Sequence, residues 1–281
     1  MARLAFGPGV KIGLGVALVA GMALVAVLAP FLAPHDPYAQ NLMLRLRPPV
    51  WEPRGSWAHP LGTDNFGRDL LSRLIWGSRL SITVGLTAMV VALSFGTTLG
   101  MVAGYVGGRT EQLIMRFADG YQAIPEILLA IVVVAVFGGG LWMLILVLGF
   151  AGWETYARVA FNLTRSLKER AFVEAAVAIG AGEAYIMWRH LLPQISPVLA
   201  VIATLQVGQL ILQETALSFL GLGLPPPTAT WGNILAEGRD RLLVAPWIAN
   251  LAGLAIVILV LGVNLLGNGL REVLDPRRLG R

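Results

Sequence analysis

Apolar residues along this chain come in blocks of about twenty or more, separated by shorter stretches rich in proline, glycine and charge. A hydrocarbon layer about 30 Å thick needs about 20 such residues per helix, and by that measure six spans are predicted, at about 12–32, 80–106, 113–137, 141–161, 195–220 and 248–270. The first block outlasts the core of a secretory signal and ends in Ala29-Pro30-Phe31-Leu32-Ala33-Pro34, a poor cleavage site, so it reads as a retained anchor.

The stretch 34–72 carries Pro34, Pro37, Pro48, Pro49, Pro53 and Pro60, too many for a packed helix. Its last part changes character. Leu70, Leu71, Leu74 and Ile75 recur at helical spacing with Arg68, Asp69, Ser72 and Arg73 on the other face, which predicts an interfacial amphipathic helix, capped by Thr63 or Asp64, leading into the second span. Gly107-Gly108 and Gly138-Gly139-Gly140 mark tight junctions between spans two, three and four. Two connections, 165–193 and 221–247, are long enough to carry function. The chain thus divides into an anchor with a polar segment and interfacial helix (1–79), a core of spans (80–270) holding the 165–193 loop, and a tail (271–281).

Composition agrees with this reading. The 281 residues are 56% hydrophobic before glycine is counted and only 13% charged, against about 45–50% with glycine and about 25% in soluble domains. That excludes a soluble globular protein, and low charge excludes a disordered one. No cysteine is present, which removes disulfides and thiolate metal sites. His35, His59 and His190 are far apart in sequence and form no HExxH pair, so no metal site is predicted.

A net charge of +5 would elsewhere suggest nucleic acid; here it sorts by topology. Basic residues of the short loops, among them Lys11, Arg109, Arg165, Lys168, Arg170, Arg189, Arg271 and the tail's Arg277 and Arg278, fall on one side. The positive-inside rule places that side, both termini and the 165–193 loop in the cytoplasm. No nucleic-acid partner is implied; membrane lipid is.

Ionisable and strongly polar residues inside spans are costly and mark functional candidates. Gln206, Gln209, Gln213 and Glu214 recur at steps of three and four on span five, and Glu126 follows Pro125 in span three; these five are the predicted translocation-pathway residues, with helix–helix hydrogen bonding as the alternative. Asp119 and Glu154 are predicted partners of Arg116 and Arg158. Gly85, Gly96, Gly100 and Gly104 form small-xxx-small pairs suited to close helix packing. In the 221–247 segment, Trp231 and Trp247 are predicted interface anchors.

The 165–193 loop reads as a helix to about Ile179, a break at Gly180 or Gly182, and a second helix that Pro193 hands over to span five. Small Ala175 and Ala176 allow close approach to another protein's groove, with Glu174 available to a basic partner.

Glu174-Ala-Ala, three residues, Gly180, nine residues, then His190-x-Leu192-Pro193 resembles the EAA loop of ABC importer permeases, with His190 where the general pattern has Ile. His59-Pro-Leu-Gly-Thr-Asp-Asn-Phe-Gly-Arg-Asp, Asp119-Gly-Tyr-Gln-Ala-Ile-Pro125, Tyr156-Ala-Arg158 and Glu214-Thr-Ala-Leu-Ser-Phe-Leu-Gly-Leu-Gly223 extend the resemblance over roughly 60–276, to the C-type permease of dipeptide/oligopeptide importers. Gln194 and Phe161 depart from the subfamily, which commonly has Asn and Arg there.

The resemblance implies an all-α membrane protein with six transmembrane helices, a MetI-like ABC type I importer permease core, in the prokaryotic inner membrane. It implies a second homologous permease as heterodimeric partner, two ATPase subunits and an extracytoplasmic solute-binding protein. It gives Glu174, Ala175, Ala176, Gly180, His190, Leu192 and Pro193 the task of coupling to the ATPase. The cargo implied is di- or oligopeptide, with nickel, opines or oligosaccharides as alternatives within the same family.

No cofactor is expected in this chain itself. Neither Lys11 nor Lys168 follows a glycine, so there is no Gly-Lys-Ser/Thr phosphate loop, and ATP and Mg are expected on partner subunits; the chain is not predicted to be an enzyme. An ion-coupled secondary transporter using Glu126 and Glu214 would need internal repeats that are not visible and leaves the 165–193 loop unexplained. An intramembrane enzyme lacks a paired acid and base.

Overall fold

In the computed structural model, which describes residues 7–274, the apolar runs are helical and no strand forms among the described residues. Five helical stretches are long and apolar enough to cross a membrane, and a sixth candidate is broken. The tail beyond Leu274, with Arg277 and Arg278, lies outside the described residues.

Helix α1 (Pro8–Val27) begins with proline, whose fixed φ suits a first turn, and a short turn, α2 (Ala29–Leu32), follows it. The proline-rich segment wraps irregularly to Asp69, which caps α3 (Leu70–Val106) by accepting the Ser72 amide at 2.8 Å. No separate interfacial helix precedes the second span. The predicted amphipathic turn is the start of one 37-residue helix, and its cap is Asp69, not Thr63 or Asp64.

The third span breaks. Pro125, which offers no amide and disfavours helical backbone at the residue before it, ends α4 (Gly108–Gln122), and α5 (Glu126–Phe137) starts at 87° to it. The fourth also interrupts, between α6 (Leu141–Gly149) and α7 (Trp153–Lys168), where Gly152 sits at φ +80°.

After α7 come α8 (Ala171–Ala178), Gly180 at φ +83°, and α9 (Glu183–Tyr185). A wide π turn over Ile186–Leu191 then runs into α10 (Leu192–Phe219) without a break. Pro193 therefore sits in the first turn of a continuing helix and does not separate two. The last helices described are α11 (Trp231–Arg239), capped by Thr230, and α12 (Pro246–Leu274).

The long helix α3 is the central pillar, touching α1, α4, α6, α7, α10 and α11. A Cβ added at Gly96 would lie 2.2 Å from the Trp153 carbonyl oxygen, at Gly100 2.2 Å from that of Ala157, and at Gly104 2.7 Å from that of Phe161. Matching four-residue steps on both helices make α3 and α7 parallel neighbours in backbone contact, as small-xxx-small packing requires. Helices α1 and α12 run antiparallel: Gly15 meets the Leu266 backbone, Gly262 meets Leu18, and Lys11 pairs with Glu272.

Two ends result. One carries the irregular segment before α3 and the 220–246 region, tied together by the Trp247 indole donating to the Thr63 carbonyl and that of Trp231 to Leu74. Trp231 is fully buried, so it is a core side chain and not an interface anchor. The other end carries the start of α1, the α3–α4 junction, α8, α9 and the last turn of α12.

Candidate functional site

Both broken spans open at the same level of the bundle. Around their breaks lies a cavity of about 250 Å³ lined by Tyr121, Gln122 and Glu126 of the third span, Ala151, Gly152, Glu154 and Thr155 of the fourth, and Gln206, Gln209, Leu210 and Gln213 of α10. Irregular backbone at this depth is tolerated where it lines a cavity or is buried in protein. Pro125 makes Glu126 the first residue of α5, so its carboxylate stands at a helix start and accepts from the Gln213 amide. Gly152 lets α7 begin beside Gln206, whose amide nitrogen would be 2.8 Å from a Cβ there. The Tyr121 hydroxyl donates to the free Phe150 carbonyl at the end of α6.

Four of the five predicted pathway residues, Gln206, Gln209, Gln213 and Glu126, come together here. Glu214 does not. One residue on from Gln213 turns it about 100° round the helix, toward α3, where it is fully buried and accepts from Ser81 at 3.2 Å and Ser218 at 2.7 Å. The predicted single stripe therefore splits into a cavity face and a helix-contact face.

Glu154 also departs from expectation. Arg158 pairs with Asp119 at 2.9 Å and donates to Gln122 at 2.6 Å, whereas Glu154 makes no ion pair among the described residues and lines the cavity. Tyr121, Gln122, Glu154 and Thr155 were not among the predicted pathway residues; their nearness to Pro125 and Gly152 is the signal that marks them.

At one end of the bundle, Val173 and Ala176 anchor α8 by burying against Tyr105, Ile186 and Leu191. Ala176 thus faces inward, and the outward face is Glu174, Ala175, Val177 and Ile179, the last 86% exposed. Gly180 takes a left-handed conformation and reverses the chain beside them. The His190 ring stacks edge-on to Tyr185 at 5.4 Å; Leu192 is half-buried and Pro193 exposed.

The opposite end holds a buried ion cluster. Arg68 Nε meets Asp64 at 2.7 Å, Arg73 also reaches Asp64, and Glu237 of α11 receives Arg68 at 2.9 Å and Arg73 at 2.6 and 3.0 Å. These arginines were expected on a solvated face; α11 and the loop before α3 fold over them and make a charge-balanced knot. Beside it, His59 Nδ1 lies 2.9 Å and His35 Nδ1 3.8 Å from the two Asp69 oxygens. The fold thereby gathers two histidines that are distant in sequence around the carboxylate that caps α3.

Residues 96–280 match the protein family described as binding-protein-dependent transport system inner membrane component, and residues 12–49 the N-terminal transmembrane domain of oligopeptide transport permease C. The chain is 42% identical over 252 residues to the di/tripeptide transport system permease DppC of Pseudomonas aeruginosa, covering 90% of this chain and 83% of that protein. It is 39% identical over 252 residues to the dipeptide permease DppC of Haemophilus influenzae (90% and 85% covered), and 37% identical over 219 residues to the oligopeptide permease OppC of the same organism (78% and 70%). Among solved structures, a chain of the inward-facing methionine ABC transporter MetNI superposes with a TM-score of 0.58 at 20% identity, over 73% of this chain and 97% of that one, which shows the fold.

Proposed function

Because the chain belongs to the binding-protein-dependent transport system inner membrane components, and is a multi-pass ABC importer permease of the peptide-transport kind, we propose that it moves di- or oligopeptides inward as one of two homologous permeases, driven by ATP on two partner subunits. ATP and its Mg bind those subunits. A solute-binding protein on the outer face delivers the cargo to the end that carries α11 and the segment before α3; both termini and α8 are cytoplasmic.

The observation that carries this reading is α8. It is held to the bundle by Val173 and Ala176 yet presents Glu174, Ala175, Val177 and Ile179 outward. A short helix anchored on one face and apolar on the other is built to seat in a groove of a partner. Motion of that partner is transferred through the π turn, His190, Leu192 and Pro193 to α10, whose continuous run reaches the cavity between the breaks. Rigid-body tilting of α10 against α4–α7 alternately opens that cavity. Gln206, Gln209, Gln213 and Glu126 line the path, while Glu214 holds α10 to α3 through Ser81 and Ser218.

Co-purification tests the reading. With Glu174→Arg or Ile179→Asp, the ATPase subunits are expected to be lost from an otherwise intact membrane fraction. Retention of both subunits together with normal uptake would overturn it. The ligand retained by the cognate binding protein tests the cargo: a peptide is expected, and nickel, an opine or an oligosaccharide would overturn that part alone.

A further inference from the structure

The cavity between the two breaks is not neutral toward charge. It holds two carboxylates, Glu126 and Glu154, and among the described residues no lysine or arginine lines it. Arg158 spends its terminal nitrogen on Asp119 at 2.9 Å and on the Gln122 oxygen at 2.6 Å; its Nε is buried without a hydrogen-bond partner and its charge reaches Glu154 from outside the lining, so three carboxylates, Asp119, Glu126 and Glu154, stand against one guanidinium. Glu154 is only 4% exposed, and its Oε2 has no hydrogen-bond partner; the Oε1 of Gln213 is likewise buried and without one. Glu154 Oε1 takes the Thr155 hydroxyl at 3.3 Å, and the residue's own backbone amide also meets the carboxylate.

Buried acceptors left without donors are costly, and a carboxyl group at this depth is costlier still unless a positive group meets it. The Gln213 amide nitrogen donates to Glu126 and makes no hydrogen bond to Glu154 among the described residues, and its oxygen is left without a donor. What completes the site is a compact donor-only cation. A primary ammonium carries one positive charge and three N–H bonds, which matches the free oxygens of Glu154 and Gln213 with Glu126 alongside.

We infer that this cavity is a charge-selective subsite for a primary ammonium group, such as the free amino terminus or a lysine side chain of the cargo. The inference rests on the pathway reading above and adds to it a sign: cations are drawn in and anionic ends are disfavoured. The groups that set the sign are Glu154 and Glu126. Gln206 and Gln209 border the site and do not set it.

The chain has no cysteine of its own, so Gln209→Cys introduces a single thiol at the cavity wall. In the assembled transporter with its partner subunits in lipid nanodiscs, that thiol is treated with ethylammonium methanethiosulfonate or with its anionic ethylsulfonate counterpart. Labelling of this chain is followed by mass, each rate being normalised to the reagent's rate with free thiol. The cationic reagent is expected to react about tenfold faster, as a nearby carboxylate in a partly wet site implies, with Glu154→Gln or Glu126→Gln each cutting that preference severalfold. Leu243→Cys, fully exposed at the far end of the bundle, serves as the control whose preference neither variant changes. Equal reaction with both reagents, or a preference that survives both glutamine variants, overturns the charge inference and leaves the pathway standing. No reaction with either reagent in any nucleotide state overturns the pathway reading, and this inference with it.

Discussion

Arg73 enters the bundle in the first turn of α3 and is met there by Asp64 from the preceding loop and by Glu237 from α11, 164 residues later in sequence. Removing one member of a buried ion cluster leaves the others uncompensated, at a cost of about 3–5 kcal/mol. Glu237→Ala is therefore expected to lower the unfolding midpoint of the detergent-purified protein sharply, while Arg239→Ala, whose partner Asp240 is exposed, leaves it nearly unchanged. Differential scanning fluorimetry separates the two. Gly100 is a second such residue: a Cβ would stand 2.2 Å from the Ala157 carbonyl, so Gly100→Val is expected to push α3 and α7 apart at a cost of roughly 1–3 kcal/mol, read in the same melting experiment. The glycine was legible in the sequence because its four-residue recurrence needs only the helix itself. The burial of Arg73 was not, because helical spacing places a side chain on a face but does not say which distant element will cover that face.

Among the elements, the two interrupted spans decide most. A straight reading of apolar length predicted two uniform helices, and length is insensitive to a bend. Pro125 announced an irregularity, but the 87° turn follows from α5 leaving α4 to pack on α6 and α10. The break after α6 was hidden because Phe150, Ala151 and Gly152 are as compatible with an apolar run as with a turn. Gly152→Ala forces a side chain into a left-handed position, at about 1–2 kcal/mol, and crowds the Gln206 amide. Uptake in proteoliposomes is expected to fall severalfold while the ATPase subunits still co-purify. The outcome for α8 differs: the glutamate, the small residues and Gly180 were legible as a motif, yet which alanine faces out was not, since that depends on α8 docking Ala176 against Tyr105 and Ile186.

At the scale of the whole molecule, α1 stands apart. It is the least buried of the five helical stretches long and apolar enough to span, and leans chiefly on α12 and α3. Its hold depends on shape more than charge, since the partly exposed Lys11–Glu272 pair is worth about 0–1 kcal/mol, whereas Gly262 admits Leu18 at backbone distance. Gly262→Leu is thus expected to release α1 and expose the turn at 28–34 to protease, where Lys11→Ala does not; limited proteolysis in nanodiscs reads the difference. The charge pattern foresaw the start of α1, the 165–193 loop and the end of α12 sharing one end, because that pattern sums over many loops and tolerates local error. It said nothing of which spans touch. The contact between the first span and the last sets a schedule for biogenesis. Lys11 and Glu272 are 261 positions apart, and at about 5–20 residues per second of synthesis the first helix waits roughly 13–52 s in the bilayer before its partner leaves the ribosome. During that interval α1 has α3 but not α12 to lean on, and its uncovered face is open to any chaperone or quality-control protease of the membrane until α12 is made.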